Sequence, residues 1–309
     1  MSSSVQSLTH GEELPARYER FLPWGEGPGG LRLHRGGFQD PPRGPNAVAV
    51  LPTGAALILD QLAERVVGVA DEGSPVPVAQ VPIDAMDLVA GPDGAFAAYS
   101  KVRAQAWLHA PSGSPLGAME VPRSFMFIQR LALETAGSLH IVSDGQDIVE
   151  LGSPTAPIPE ITARRARRYG AALRPDGRGV FVHVKQGHGQ VHLLAQPDRE
   201  RDRPTVVKRH DIPGKVTAAR IVGTHLDTTC MRVEKVESTP EIHVDRRALC
   251  LDTESGRVLL DEDLPPPGLY GPWSEIAMVG NRMAFIRPGD EGMRVIGWRV
   301  PVEAKEVQR

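Results

Sequence analysis

The sequence predicts an all-β fold, a six-bladed β-propeller, and three observations carry that expectation. Its apolar residues come in runs of about five, too short for helices and punctuated by glycine and proline. Several runs are apolar on both faces, which a sheet requires when it is covered on both sides. Candidate turn glycines recur at Gly54, Gly94, Gly137, Gly177, Gly223 and Gly280, at intervals of 40, 43, 40, 46 and 57 residues. A repeat of about 40–45 residues with four short strands is the signature of a propeller blade.

The totals agree with this class. The chain has 309 residues, enough to bury a substantial core. It is 41% hydrophobic and 24% charged, with 32 glycines and 28 prolines in no collagen-like period. A formal net charge of −3 argues against a dedicated nucleic-acid binder. No apolar run approaches the ~18 residues of a membrane span. The first residues lack the basic-then-apolar layout of a signal peptide, so a cytoplasmic location is expected.

In chain order, residues 1–17 are polar and aperiodic and read as a flexible lead-in. Residues 18–301 read as one propeller domain, and 302–309 as a C-terminal tail. Gly25, Gly27 and Gly30 spell G-x-G-x-x-G, but Pro28 interrupts them and no strand-to-helix context surrounds them, so they read as a loop. Residues 30–35, with Leu31-Arg32-Leu33-His34, are expected to supply the strand that closes the last blade. An open ring would leave sheet edges exposed. The six blades are expected at about 44–83, 84–122, 123–159, 160–213, 214–267 and 268–301. The longer intervals come from a charged loop at 196–203 and a long hairpin at 228–251 turning at Ser238-Thr239-Pro240-Glu241. That hairpin sets Cys230 and Cys250 opposite or nearly opposite each other. Two small buried thiols are the expectation in a reducing compartment, with a cross-strand disulfide as the alternative.

The stretch Gly44–Val69 is the clearest unit. Gly44-Pro45, Val48-Ala49-Val50, Pro52-Thr53-Gly54, Leu57-Ile58-Leu59-Asp60 and Arg65-Val66-Val67 follow one another in an order that resembles an NHL repeat. The resemblance is good over this stretch and weak elsewhere. It implies a structural role for Asp60 and Arg65, tying a turn within the blade.

No catalytic motif and no closely spaced set of metal ligands stands out, and no catalytic residue, metal ligand or cofactor is assigned. His183 and His192 fall on the two arms of a hairpin with Gly187 and Gly189 at its tip, two cross-strand neighbours with no carboxylate to complete a metal shell. Arg164, Arg165, Arg167 and Arg168 form the strongest basic cluster, a candidate surface for an acidic protein partner. Asn46, Asp87, Arg130, Tyr169, Arg220 and Trp273 fall near the expected innermost strands and are candidates for the channel mouth.

The leading functional expectation is a non-catalytic scaffold propeller that binds proteins within a larger assembly, with neither nucleic acid nor membrane as partner. One alternative is a metal-dependent hydrolase similar to the gluconolactonase-type propellers, with Asn46, Asp87 and Glu275 as the nearest available ligands. The other is a propeller that binds a sugar or peptide.

Overall fold

The computed structural model describes residues 8, 15–27, 29–37, 39–124, 128–134, 137–143, 147–197, 203–237 and 242–302. The expected turn at 238–241, most of the charged loop, and the tail past 302 lie outside these residues. So does all of the lead-in except Leu8 and residues 15–17.

Six small antiparallel sheets form a ring, as in a six-bladed β-propeller. Blade 1 holds β2 (Ala47–Val50), β3 (Ala56–Asp60), β4 (Arg65–Val69) and β5 (Val76–Gln80). Blade 2 holds β6 (Asp87–Ala90), β7 (Phe96–Ser100), β8 (Gln105–His109) and β9 (Pro115–Glu120). Blade 3 holds β10 (Ile128–Leu133), β11 (Leu139–Ser143) and β12 (Asp147–Ser153), flanked by the short β13 (Ala156–Pro157) and β14 (Arg168–Tyr169). Blade 4 holds β15 (Ala172–Leu173), β16 (Gly179–Lys185), β17 (His188–Ala195) and β18 (Thr205–Asp211). Blade 5 holds β19 (Ala218–His225), β20 (Thr228–Glu237), β21 (His243–Asp252) and β22 (Val258–Leu264). Blade 6 holds β23 (Ile276–Val279), β24 (Arg282–Pro288) and β25 (Gly292–Arg299), completed by β1 (Arg17–Pro23).

Blade 1 shows why its sequence is apolar on both faces. Every residue of β2 and β3 is buried. Side chains alternate across a strand, so Ala47, Ala49, Leu57 and Leu59 pack against blade 2 while Val48, Val50, Ala56 and Ile58 pack against blade 6. Asp60 and Arg65 face each other at the β3–β4 turn, with Arg65 Nε 3.0 Å from the fully buried Asp60 Oδ2. The N–H of Arg32 also donates to Asp60 Oδ1 at 3.3 Å.

The ring closes with an N-terminal strand, but the strand is Arg17–Pro23 and not 30–35. It pairs antiparallel with β25 from Arg17↔Trp298 to Pro23↔Gly292. Leu31 and His34 make only isolated bridges, to Trp24 and Arg43. The lead-in is likewise not wholly detached, because Leu8 is buried in the blade 1–2 core and its carbonyl accepts from Thr53 Oγ1 at 2.7 Å.

Two further expectations shift. Gly223 is not a turn residue; it lies inside β19 at a register shift, and the turn follows at Leu226, whose φ is 50°. Blade 3 runs on to Tyr169, past the expected 159. A short helix, α1 (Glu160–Arg165), interrupts its outer strand between β13 and β14, both of which pair with β12. The cysteines are directly opposite, Cys230↔Cys250, and they are joined as a buried disulfide rather than left as free thiols. No helix among the described residues is long and apolar enough to cross a membrane.

Candidate functional site

The innermost strands β2, β6, β10, β15, β19 and β23 surround a central cavity of about 770 Å³. Short strands position its polar groups, because each inner strand begins at the same mouth of the channel. Asp87 is the first residue of β6, while Arg130 and Arg220 lie near the starts of β10 and β19. Trp273 and Glu275 immediately precede β23. Asp87, Arg130, Arg220 and Trp273 all line the cavity.

Asn46 and Tyr169 do not line it. Asn46 is a clamp between blades, donating from Nδ2 to the Met86 carbonyl at 3.1 Å and accepting from the Trp273 N–H at 3.0 Å. Tyr169 is held at the blade edge, its N–H and carbonyl both bonded to the Gln196 amide at 2.8 Å.

The mouth is electrostatically unbalanced. Asp87 is 3% exposed, and its carboxylate accepts the N–H groups of Leu88 at 2.9 Å and Leu131 at 3.4 Å. Burial pushes its pKa up to about 6, against the opposing pull of those bonds and of Arg220 and Arg130. Arg130 donates to the carbonyls of Val222 and Ala171, and burial together with Arg220 brings its pKa down to about 10. Both guanidinium groups therefore act on a carboxyl that is partly neutral near pH 6. Beside them, the nearly buried Glu275 is already neutralised, accepting from Arg232 Nη1 at 2.7 Å and from Arg246 Nη1 at 2.8 and 2.9 Å. Arg232 keeps a buried Nε with no hydrogen-bond partner. Positive charge in a walled cavity attracts a small anion.

Deeper in the channel Arg174 is 5% exposed and tied to acids, with Nη1 2.6 Å from Glu254 Oε1 and Nη2 3.1 Å from Asp176 Oδ2 and in contact with Asp227. Lys208 Nζ lies 2.6 Å from Glu254 Oε2, and this bond together with Arg174 and Arg178 holds the glutamate at about 2. This end is charge-compensated and braces blade 4 against blade 5.

The expected metal ligands do not converge. Among the described residues no group of three or more His, Cys, Asp or Glu is arranged to hold a metal. Asn46, Asp87 and Glu275 spend their oxygens on a backbone amide, two backbone amides and two guanidinium groups respectively. His183 pairs with Gln190 and His192 with Phe181, so the two histidines are diagonal, with ring centroids 6.0 Å apart. The hairpin turns at Gln186 and Gly187, both at positive φ, rather than around Gly189.

The basic cluster is split by α1. Arg164 and Arg165 are exposed on the helix, and Arg164 Nε is 2.8 Å from Glu160. Arg167 stands 3.7 Å from Asp147, with its guanidinium 5.7 Å from the centre of the Tyr169 ring. Arg168 turns into the cavity instead. The cavity also reaches Glu134 and His140, which were not anticipated. His140 lies on the second strand of its blade; the one signal was an imidazole in the apolar run Leu139-His140-Ile141-Val142.

No protein-family model matches the chain, and no curated protein matches it. Among solved structures, it is similar to the PQQ-bound aldose sugar dehydrogenase of Streptomyces coelicolor, at 13% identity over 92% of this chain and 99% of that one, with a TM-score of 0.46. Virginiamycin B lyase of Staphylococcus aureus is 11% identical over 93% and 100%, also at 0.46. The β-propeller domain of Cps50 (Swd1) from Myceliophteria thermophila is 10% identical over 84% of each chain, at 0.44. The fold assignment rests on the six-sheet topology itself, and likenesses at this level say nothing of activity.

Proposed function

We propose that this propeller binds a small anionic molecule in its central channel. The observation that carries the reading is the mouth, where the guanidinium groups of Arg130 and Arg220 stand beside the buried Asp87, whose pKa burial raises to about 6, in a cavity of about 770 Å³. Ligand sites are concave, preformed and furnished with a few convergent polar groups, and this cavity has that character. Trp273, 40% exposed at the rim, supplies an aromatic surface for the ligand.

Docking of an acidic protein on the arginine cluster is the weaker reading. Arg164, Arg167 and Arg168 already stand beside Glu160, Asp147 and Glu150. The NHL-like character of residues 44–69 is supported by the buried Asp60–Arg65 pair. The buried Cys230–Cys250 bridge favours an oxidising compartment over the cytoplasm.

The test is Trp273 emission during titration with small carboxylates and phosphates. Binding predicts a saturable change that disappears in Trp273→Phe and weakens in Arg220→Gln. A flat response to every anion, with unchanged melting temperature, contradicts the reading.

A further inference from the structure

Among the described residues, apolar clusters close five of the six seams between neighbouring blades. The seam between blades 3 and 4 has none. On blade 3, Leu139, Ile141, Val149 and Leu151 point into the cluster shared with blade 2. Alternation then leaves His140, Val142, Ile148 and Glu150 for the opposite face. On that side the inner strand of blade 4 is only the two-residue β15, too short to fill the gap. On this side the central cavity is lined by His140, Val142, Ile148 and Arg168.

His140 is the polar group of this seam with the weakest partners. It is 2% exposed, and among the described residues its ring nitrogens have long contacts, Nδ1 3.7 Å from Glu134 Oε1 and Nε2 3.4 Å from Ser138 Oγ. The Ser138 hydroxyl donates at 2.8 Å to Glu150 instead. Burial holds the imidazole in its neutral form, with Arg168 acting in the same sense against Glu134 and Glu150. A neutral imidazole offers one donor and one acceptor, the pattern that a hydroxyl answers. A buried polar group with weak partners is destabilising, and a ligand hydroxyl at hydrogen-bond distance relieves it.

The two halves of the site are in register. Arg130 pairs with Val142, and Ala132, on the same face of β10, pairs with His140. Two residues along a strand span about 7 Å, the length of a chain of five or six atoms.

We propose that the channel takes a polyhydroxylated anion, with its charged end against Arg130 and Arg220 and its hydroxyls in the blade 3–4 seam against His140 and Glu134. This rests on the channel reading above and specifies its ligand. The test is calorimetric titration of the intact protein with matched probes: gluconate against hexanoate, glucose 6-phosphate against hexyl phosphate, and glucose alone. The expected result is that at least one hydroxylated anion binds about tenfold or more tightly than its deoxy counterpart, with glucose weaker than either anion. The ratio should fall toward one in His140→Leu, with circular dichroism checking the fold. Anions that bind without regard to hydroxyls in the wild-type protein overturn this inference and leave the channel reading standing. Failure of every anion to bind overturns both.

Discussion

Arg130 and Ala171 join blades 3 and 4 across the channel, with Arg130 Nη2 donating to the Ala171 carbonyl at 2.5 Å. Elsewhere around the ring, leucines, valines and alanines hold neighbouring blades together. A buried guanidinium holds backbone carbonyls of blades 4 and 5 while presenting its charge to the cavity. The same side chain therefore serves ring closure and the proposed ligand.

Asp87 predicts a pH dependence. Burial opposes its charge and raises its pKa to about 6 in the folded protein, from an ordinary 3.8. Between those values the folded protein holds the extra proton, so this contribution is fully present below about pH 4 and is lost as pH rises through 6. The difference is up to about 3 kcal/mol. Thermal melts from pH 4 to 8 should show Asp87→Asn gaining stability relative to wild type as pH rises. A pH-independent difference would contradict the assignment.

Asp60 predicts a stability loss in the blade 1 turn. Removing its carboxylate leaves the half-buried Arg65 without its ion-pair partner. Asp60→Ala should cost about 3–5 kcal/mol in chemical denaturation, and Asp60→Asn less. A loss below about 1 kcal/mol would show the pair to be incidental.

The closing strand can be tested at Tyr18. Its hydroxyl donates to the buried Gly54 carbonyl at 2.9 Å, tying β1 to blade 1. Tyr18→Phe should cost about 1–3 kcal/mol. Truncation before residue 24 should expose the β25 edge and lower the melting temperature far more. A fully stable truncated chain would place closure elsewhere.

The disulfide gives a direct count. Protein unfolded without reductant should react with no thiol reagent, and after reduction both cysteines should react. The Cys230→Ala/Cys250→Ala pair should lose about 3 kcal/mol through its freed 20-residue loop. Two reactive thiols in freshly purified protein would contradict the bridge.

Much of the fold was legible because a blade buried between two others must be apolar on both faces, and β2 and β3 carry that pattern without interruption. The closing strand was not, because an outermost strand is half-covered. In Arg17–Pro23 only Tyr18 and Leu22 are buried, so the segment reads as polar. Asp87, Arg130, Arg220 and Trp273 line the cavity because they start or precede inner strands, a position that the strand pattern of the sequence indicates. His140 could not, since nothing local says that the neighbouring blade has an inner strand too short to cover it. The arginines were read as one cluster, but α1 bends the chain so that Arg164 faces solvent while Arg168 enters the cavity.

The measurement that tests the central claim most directly is native mass spectrometry of the wild-type chain and Arg130→Met against a set of small carboxylates and phosphates. The account predicts a single-ligand adduct on the wild-type protein that is lost in Arg130→Met, with circular dichroism and a thermal melt checking that the variant stays folded without the bonds to the Val222 and Ala171 carbonyls. No adduct, or one that persists unchanged in a folded Arg130→Met protein, would contradict an anion site in the channel.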